Sequence, residues 1–248
     1  NSLNRLAMSN LHKDSRFENT TSEFNSSTIS ALDLVALEEM DPALADGFKV
    51  AYDREVPLEL RLQDVTAEQQ DIGTLENIRI RILLQGDPQK PHVIKLELTS
   101  EADLFFFYTS IIDEAYFQKL KDEQKLNVDF TGLLSLLLKM SNNCQKEPQN
   151  YFSVFFMQRD GQARLDFIQN MEFKFLELLS LDFIASPEEV IRQNISFRYS
   201  LLKAKSQVLQ TRLKDISTIL KVKNPSLLLQ LQKGASSNFG QKNSVYQS

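Results

Sequence analysis

The chain has 248 residues, with 28 Lys and Arg against 33 Asp and Glu, for a formal net charge of −5. That balance argues against the clustered basic face of a nucleic-acid binder, while 42% hydrophobic and 25% charged residues are ordinary globular usage. A single cysteine, Cys144, excludes an intrachain disulfide or a multi-cysteine metal site, and no run of about 18 apolar residues is present to span a membrane.

The numbering starts at Asn1 rather than Met, so a portion of a longer protein is expected, in a reducing intracellular compartment because no secretory signal pattern is present. Residues 1–29 are rich in Ser, Asn and Thr and read as the main part of a flexible arm over 1–50. Within it, Ser30 to Met40 predicts a short helix near 31–40 carrying Leu34 and Leu37 on one side, ended before Pro42. A helix that short needs something to lie against.

From about residue 55 the apolar period becomes two. Val56–Leu62, Ile78–Ile82 and His92–Leu98 alternate, with a Gly86-Asp87-Pro88 turn, and predict half-buried antiparallel strands with Leu58, Leu60 and Leu62 facing the core. The continuous run Leu104–Tyr108 predicts a strand covered on both faces. Then Asp113–Lys121 turns helical, 126–130 makes a link, and Thr131–Met140 predicts a second, nearly all-apolar helix that must be buried. A polar loop at 141–150 would hold Cys144 as a loop thiol, and the strands Tyr151–Met157, Arg164–Gln169 and Leu178–Ile184 follow, the first two joined at Asp160-Gly161. Ser186-Pro187-Glu188-Glu189 has the form of a capping box opening a helix that runs to Lys223, where Asn224-Pro225 ends or kinks it; residues 225–248 read as a polar tail.

Nothing in this pattern assembles into catalysis, so no enzyme, cofactor or metal is expected. The two histidines, His12 and His92, have no evident companions, seven glycines form no phosphate-cradling loop, and the acidic pairs at 38–39 and 188–189 fit helix faces. The long helix says more. Ile195, Leu202, Leu209 and Ile216 at d place Tyr199, Ser206, Leu213 and Leu220 at a, the period of a short coiled coil; one amphipathic helix folded back on the head would carry such a stripe as well. An aromatic in the connection 170–175, Phe173, fits either an inward core residue or an exposed contact.

The stretch Asp103 to Phe130 resembles the head domain of the spindle assembly abnormal protein 6 family, the centriolar cartwheel proteins. The resemblance lies in a Phe-rich segment, then Phe117, Leu120, Lys121 and Gln124 on a helix, then Val128-Asp129-Phe130; Phe173-Lys174, Leu176 and Leu179-Ser180-Leu181 follow the family's later pattern. It extends over about residues 55–222. It implies an α+β protein: an antiparallel β-sandwich or barrel head over 51–185 with a helix-turn-helix insertion, followed by a long C-terminal helix over 186–224 forming a short parallel coiled coil. It also implies that Phe173, flanked by Met171 and Lys174, is an exposed anchor entering a pocket on another head.

The implied partners are further copies of the chain and other centriolar or microtubule-organelle proteins, without nucleic acid or a membrane span. The implied place is the cytoplasmic cytoskeleton at a centriole, basal body, flagellar base or apical microtubule structure. Departures from the family pattern, Ala185-Ser186-Pro187 before the helix and the break at Asn224-Pro225, favour the short "6-like" paralogues. The alternative is a dimeric adaptor of the same fold, of the end-joining repair or ciliary scaffold type, whose head binds a different partner.

Overall fold

Alternating apolar residues along seven strands close into a barrel in the order β1-β2-β3-β4-β7-β6-β5. These strands are β1 (Phe48–Leu62), β2 (Thr74–Asp87), β3 (Lys90–Ser100), β4 (Phe107–Asp113), β5 (Tyr151–Met157), β6 (Gln162–Met171) and β7 (Lys174–Ala185). The structure is a computed structural model and describes residues 31–63, 73–227 and 229–230. The predicted arm up to residue 30 and the tail beyond 230 lie outside the described residues. Among the described residues, the chain divides into a head unit, Glu39–Tyr199, and a helical unit made of residues 31–38 and 200–230.

In the head, Val56 and Leu58 of β1 join Ile78, Ile80 and Ile82 of β2, Ile94, Leu96 and Leu98 of β3, and Phe155, Phe167, Leu181 and Phe183 in one buried core. Period-two spacing puts each set on the inner face. Leu60 is only partly buried and Leu62 is exposed, so the predicted core face of β1 fades towards its end. All neighbours pair antiparallel except β1 and β5, which run parallel from Leu58↔Ser153 to Leu62↔Met157. This parallel contact closes the barrel and removes an exposed sheet edge.

Several elements extend beyond their predicted limits. β1 starts at Phe48, ahead of the predicted run: its pairing with β2 continues through a bulge between Val50 and Tyr52 that breaks the alternation, while Tyr52 still points inward. Before it, the short helix expected near 31–40 is α1 (Ala31–Glu39), which leads into a 3₁₀ turn at Pro42–Gly47. That turn is pinned to the barrel. Asp41 accepts from the Ala43 N–H at 2.9 Å and from Arg81 at 2.6 Å. Arg81 also reaches Glu97 at 3.3 Å, and Lys95 contacts Glu97 at 3.0 Å and the Ala43 carbonyl at 3.2 Å. Arg81 and Glu97 are buried, so this network depends on every partner being present.

Helices α2 (Glu114–Gln124) and α3 (Phe130–Lys146) are inserted between β4 and β5. Leu133, Leu137, Met140 and Cys144 recur at helical spacing on the buried face of α3. Two predictions are corrected here. Cys144 is a buried helical residue rather than a loop thiol, because α3 continues to Lys146 with its polar residues Asn142, Asn143 and Gln145 on less buried positions. Burial pushes its thiol pKa up to about 11. The run Leu104–Tyr108 is not a strand covered on both faces: Leu104 and Phe105 are exposed, and β4 begins at Phe107. Local bonds made the difference, since the Ser100 hydroxyl accepts from the Ala102 and Asp103 N–H groups and the Asp103 carboxylate accepts from Phe105, holding a turn.

Helix α4 (Glu188–Lys223) follows β7 as one continuous helix. The predicted capping box does not form, because the buried Ser186 hydroxyl has no hydrogen-bond partner and Glu189 accepts instead from Gln193. The helix opens with Ile191 N–H donating to the Pro187 carbonyl.

Candidate functional site

Among the described residues no group of three or more His, Cys, Asp or Glu side chains is placed to hold a metal, and no helix is long and apolar enough to cross a membrane. The chemistry-bearing features are exposed apolar surfaces.

One is the hairpin of β6 and β7. Met171 pairs with Lys174, leaving Glu172 and Phe173 as a two-residue turn. Such turns usually need positive φ at one or both central positions. Here the described non-glycine residues with positive φ are Asp46 and Lys125, so neither turn residue takes that conformation, and the Gly or Asn signature of a hairpin is missing from the sequence. Phe173 is 90% exposed, so it is not the inward core residue that the sequence also allowed. Lys174 is exposed beside it, as are Met171 and Phe175. The Phe175 ring meets Phe152 edge-on at 5.6 Å, which steadies the base of the tip. Full solvation of an aromatic at a turn between two paired strands costs apolar hydration that nothing internal offsets.

A second region explains the residues that carried the family resemblance. β4 touches β7 only at Tyr108↔Ala185 and Thr109↔Ile184, so the barrel wall is thin there. Gln124 fills the place of a strand: its amide nitrogen donates to the Ser180 carbonyl at 2.7 Å, and its oxygen accepts from the Ser180 N–H at 2.9 Å. Tyr116 donates to Asp182, and burial foremost, with that carboxylate, pushes the phenol up to about 12. Phe117 and Leu120 fix α2 in the core, and Phe117 packs on Phe130 at 5.6 Å. Lys121 bonds Asp129 at 3.2 Å, and Lys125 in the left-handed region turns the chain between the helices. These residues bond and pack within the head.

The third region is α4. Of the predicted seam, Tyr199, Leu202, Ser206, Leu209, Leu213 and Ile216 are exposed, and Ile195 and Leu220 are half-buried. In the helical unit, Ala204 and Val208, on the opposite side of the helix, are buried with Leu34 and Leu37 of α1 packed against them. Sequence reasoning missed this second face, although α1's need for a support pointed to it.

The profile of the family described as centriolar protein SAS N-terminal domain matches residues 50–183. The chain is 27% identical over 145 residues to the spindle assembly abnormal protein 6 homolog of Danio rerio, covering 55% of this chain and 23% of that protein. It is 24% identical over 195 residues to the homolog of Mus musculus, covering 75% and 29%. The chain thus spans about a quarter of the length of the curated relatives it matches. In fold it resembles an N-terminal fragment of Leishmania SAS-6 containing parts of its coiled coil domain, with a TM-score of 0.60 and 17% identity over 73% of this chain and 98% of that one. An N-terminal fragment of Drosophila melanogaster Sas-6, dimerised via its coiled-coil domain, gives 0.60 and 18% over 82% and 97%.

Proposed function

The chain belongs to the centriolar SAS N-terminal domain family, and on that premise we propose that it is a non-enzymatic, self-assembling scaffold subunit of a centriole, basal body or related microtubule organelle. The observation that carries the reading is Phe173, held 90% exposed on a hairpin between paired strands. A solvated aromatic in that setting is suited to insert into a pocket on a second head, with Met171 and Lys174 at its flanks. The exposed stripe on α4, from Tyr199 to Ile216, supplies a second self-complementary contact suited to pairing two chains in parallel. Two different two-fold contacts on one subunit propagate: one makes dimers and the other links them into a ring, spiral or filament, depending on the angle between them. A single aromatic anchor contributes about 2–4 kcal/mol, so head contacts are weak alone and tighten by avidity once dimers are tethered. Its place in the cell is then the cytoskeleton, and its partners are its own copies and other proteins of the organelle.

Electron microscopy of the purified chain at high concentration tests this. Assemblies larger than a dimer that vanish in Phe173→Glu are expected. A dimer at every concentration, with Phe173→Glu indistinguishable from wild type, would instead support the dimeric adaptor of the same fold.

A further inference from the structure

Helix α4 is apolar on two sides, and the two sides have different occupants. With Ile195, Leu202, Leu209 and Ile216 at d, the buried residues Ala204 and Val208 fall at f and c. In a two-stranded coiled coil those positions face away from the partner and are normally polar. Within the helical unit, Ala204 and Val208 are buried along that c/f line, and Leu201 and Thr211 are half-buried. Within the helical unit, α1 lies on it: Leu34 and Leu37 pack against Ala204 and Val208. A helix with apolar surface on both sides can recruit a further helix on its outer face as well as a partner on its seam.

The charges point the same way. The positions flanking the seam are Ser196, Lys203, Gln210 and Ser217 at e, and Arg198, Lys205, Arg212 and Ile219 at g. No acidic residue stands among them, so a parallel pair gains no interchain e/g ion pairs to favour one partner arrangement. Glu38 of α1 supplies one within the chain, reaching Lys205 at 2.9 Å.

We propose that α1 is an intrachain cap on α4, covering its outer apolar face so that the exposed seam pairs two chains and no more. This rests on the helix-pairing part of the proposed function, and it assigns to the segment before the head a role in assembly stoichiometry. As a nine-residue helix, α1 is unstable alone and gains its order from α4. The cap therefore exists where the seam-bearing helix is folded.

The test is the mass of the full chain in solution by light scattering, in a Phe173→Glu background that removes head contacts, with circular dichroism to confirm the folded barrel. That background should be a dimer. Leu34→Asp with Leu37→Asp should undock α1 and shift the mass to three or more chains. Adding Val208→Gln, which makes the uncovered face polar while α1 stays undocked, should return it to two. A mass of two chains in the Leu34→Asp/Leu37→Asp variant, or a monomer, would overturn the cap. Larger species that persist with Val208→Gln would overturn it too. A monomer already in the Phe173→Glu background would instead refute helix pairing.

Discussion

The insertion at 114–130 and the hairpin tip at 171–176 both carry aromatic residues, and they use them in opposite ways. Phe117 is fully buried and packs on Phe130, while Phe173 touches solvent over nearly its whole surface. Around Phe117, Gln124 and Lys121 spend their hydrogen bonds inside the head; around Phe173 the tip is bounded by the exposed Met171, Lys174 and Phe175. One region closes the barrel, and the other is stable only in the sense that the strands beneath it are. The motif at 117–130 therefore marks a device that builds the fold, while the later motif that starts at Phe173 includes the exposed tip.

Substitutions separate the two regions. The largest effect is expected from Phe117→Ala, which leaves a cavity between α2, α3 and the barrel and costs about 3–5 kcal/mol; denaturant unfolding followed by circular dichroism measures it. Phe173→Glu should leave that unfolding curve in place while weakening head association by about 2–4 kcal/mol, read from sedimentation equilibrium. If Phe173→Glu instead lowers stability by a similar amount, the contrast between the regions fails.

The pH dependence tests burial of the insertion. Cys144 has its pKa raised by burial to about 11 from a reference of 9.0, so its contribution to stability is full below pH 9 and is lost as pH rises towards 11. Across that window about 2–3 kcal/mol should disappear. Cys144→Ala should remove this part of the alkaline decline, and native-state thiol labelling of the parent should be slow. The smallest effect belongs to Gln124→Ala, which frees the backbone of Ser180 at a half-open site and costs about 1–2 kcal/mol without altering assembly.

The strands at 56–62, 78–82 and 92–98 were legible because apolar residues recur there at every second position. The outer end of β1 was not: the Val50/Tyr52 bulge shifts the period there. Parallel closure of β1 on β5 joins segments about a hundred residues apart, and no local pattern encodes that pairing. Leu104 and Phe105 misled because composition there says strand while Ser100 and Asp103 impose a turn. At the hairpin, the strand pattern placed Phe173 between two strands, but without Gly or Asn the turn could not be fixed from sequence, and exposure followed only from the Met171↔Lys174 register. The outer face of α4 stayed hidden for a different reason. Ala204 and Val208 are small, and a seam of larger residues dominates the helical period.

Sedimentation velocity of the full chain over a wide concentration range, wild type against Phe173→Glu, tests the central claim most directly. The wild type should grow continuously beyond the dimer as concentration rises, and Phe173→Glu should stop at the dimer with the same thermal unfolding. Concentration-dependent growth that is equal in the two proteins would contradict the assignment of Phe173 as the assembly contact.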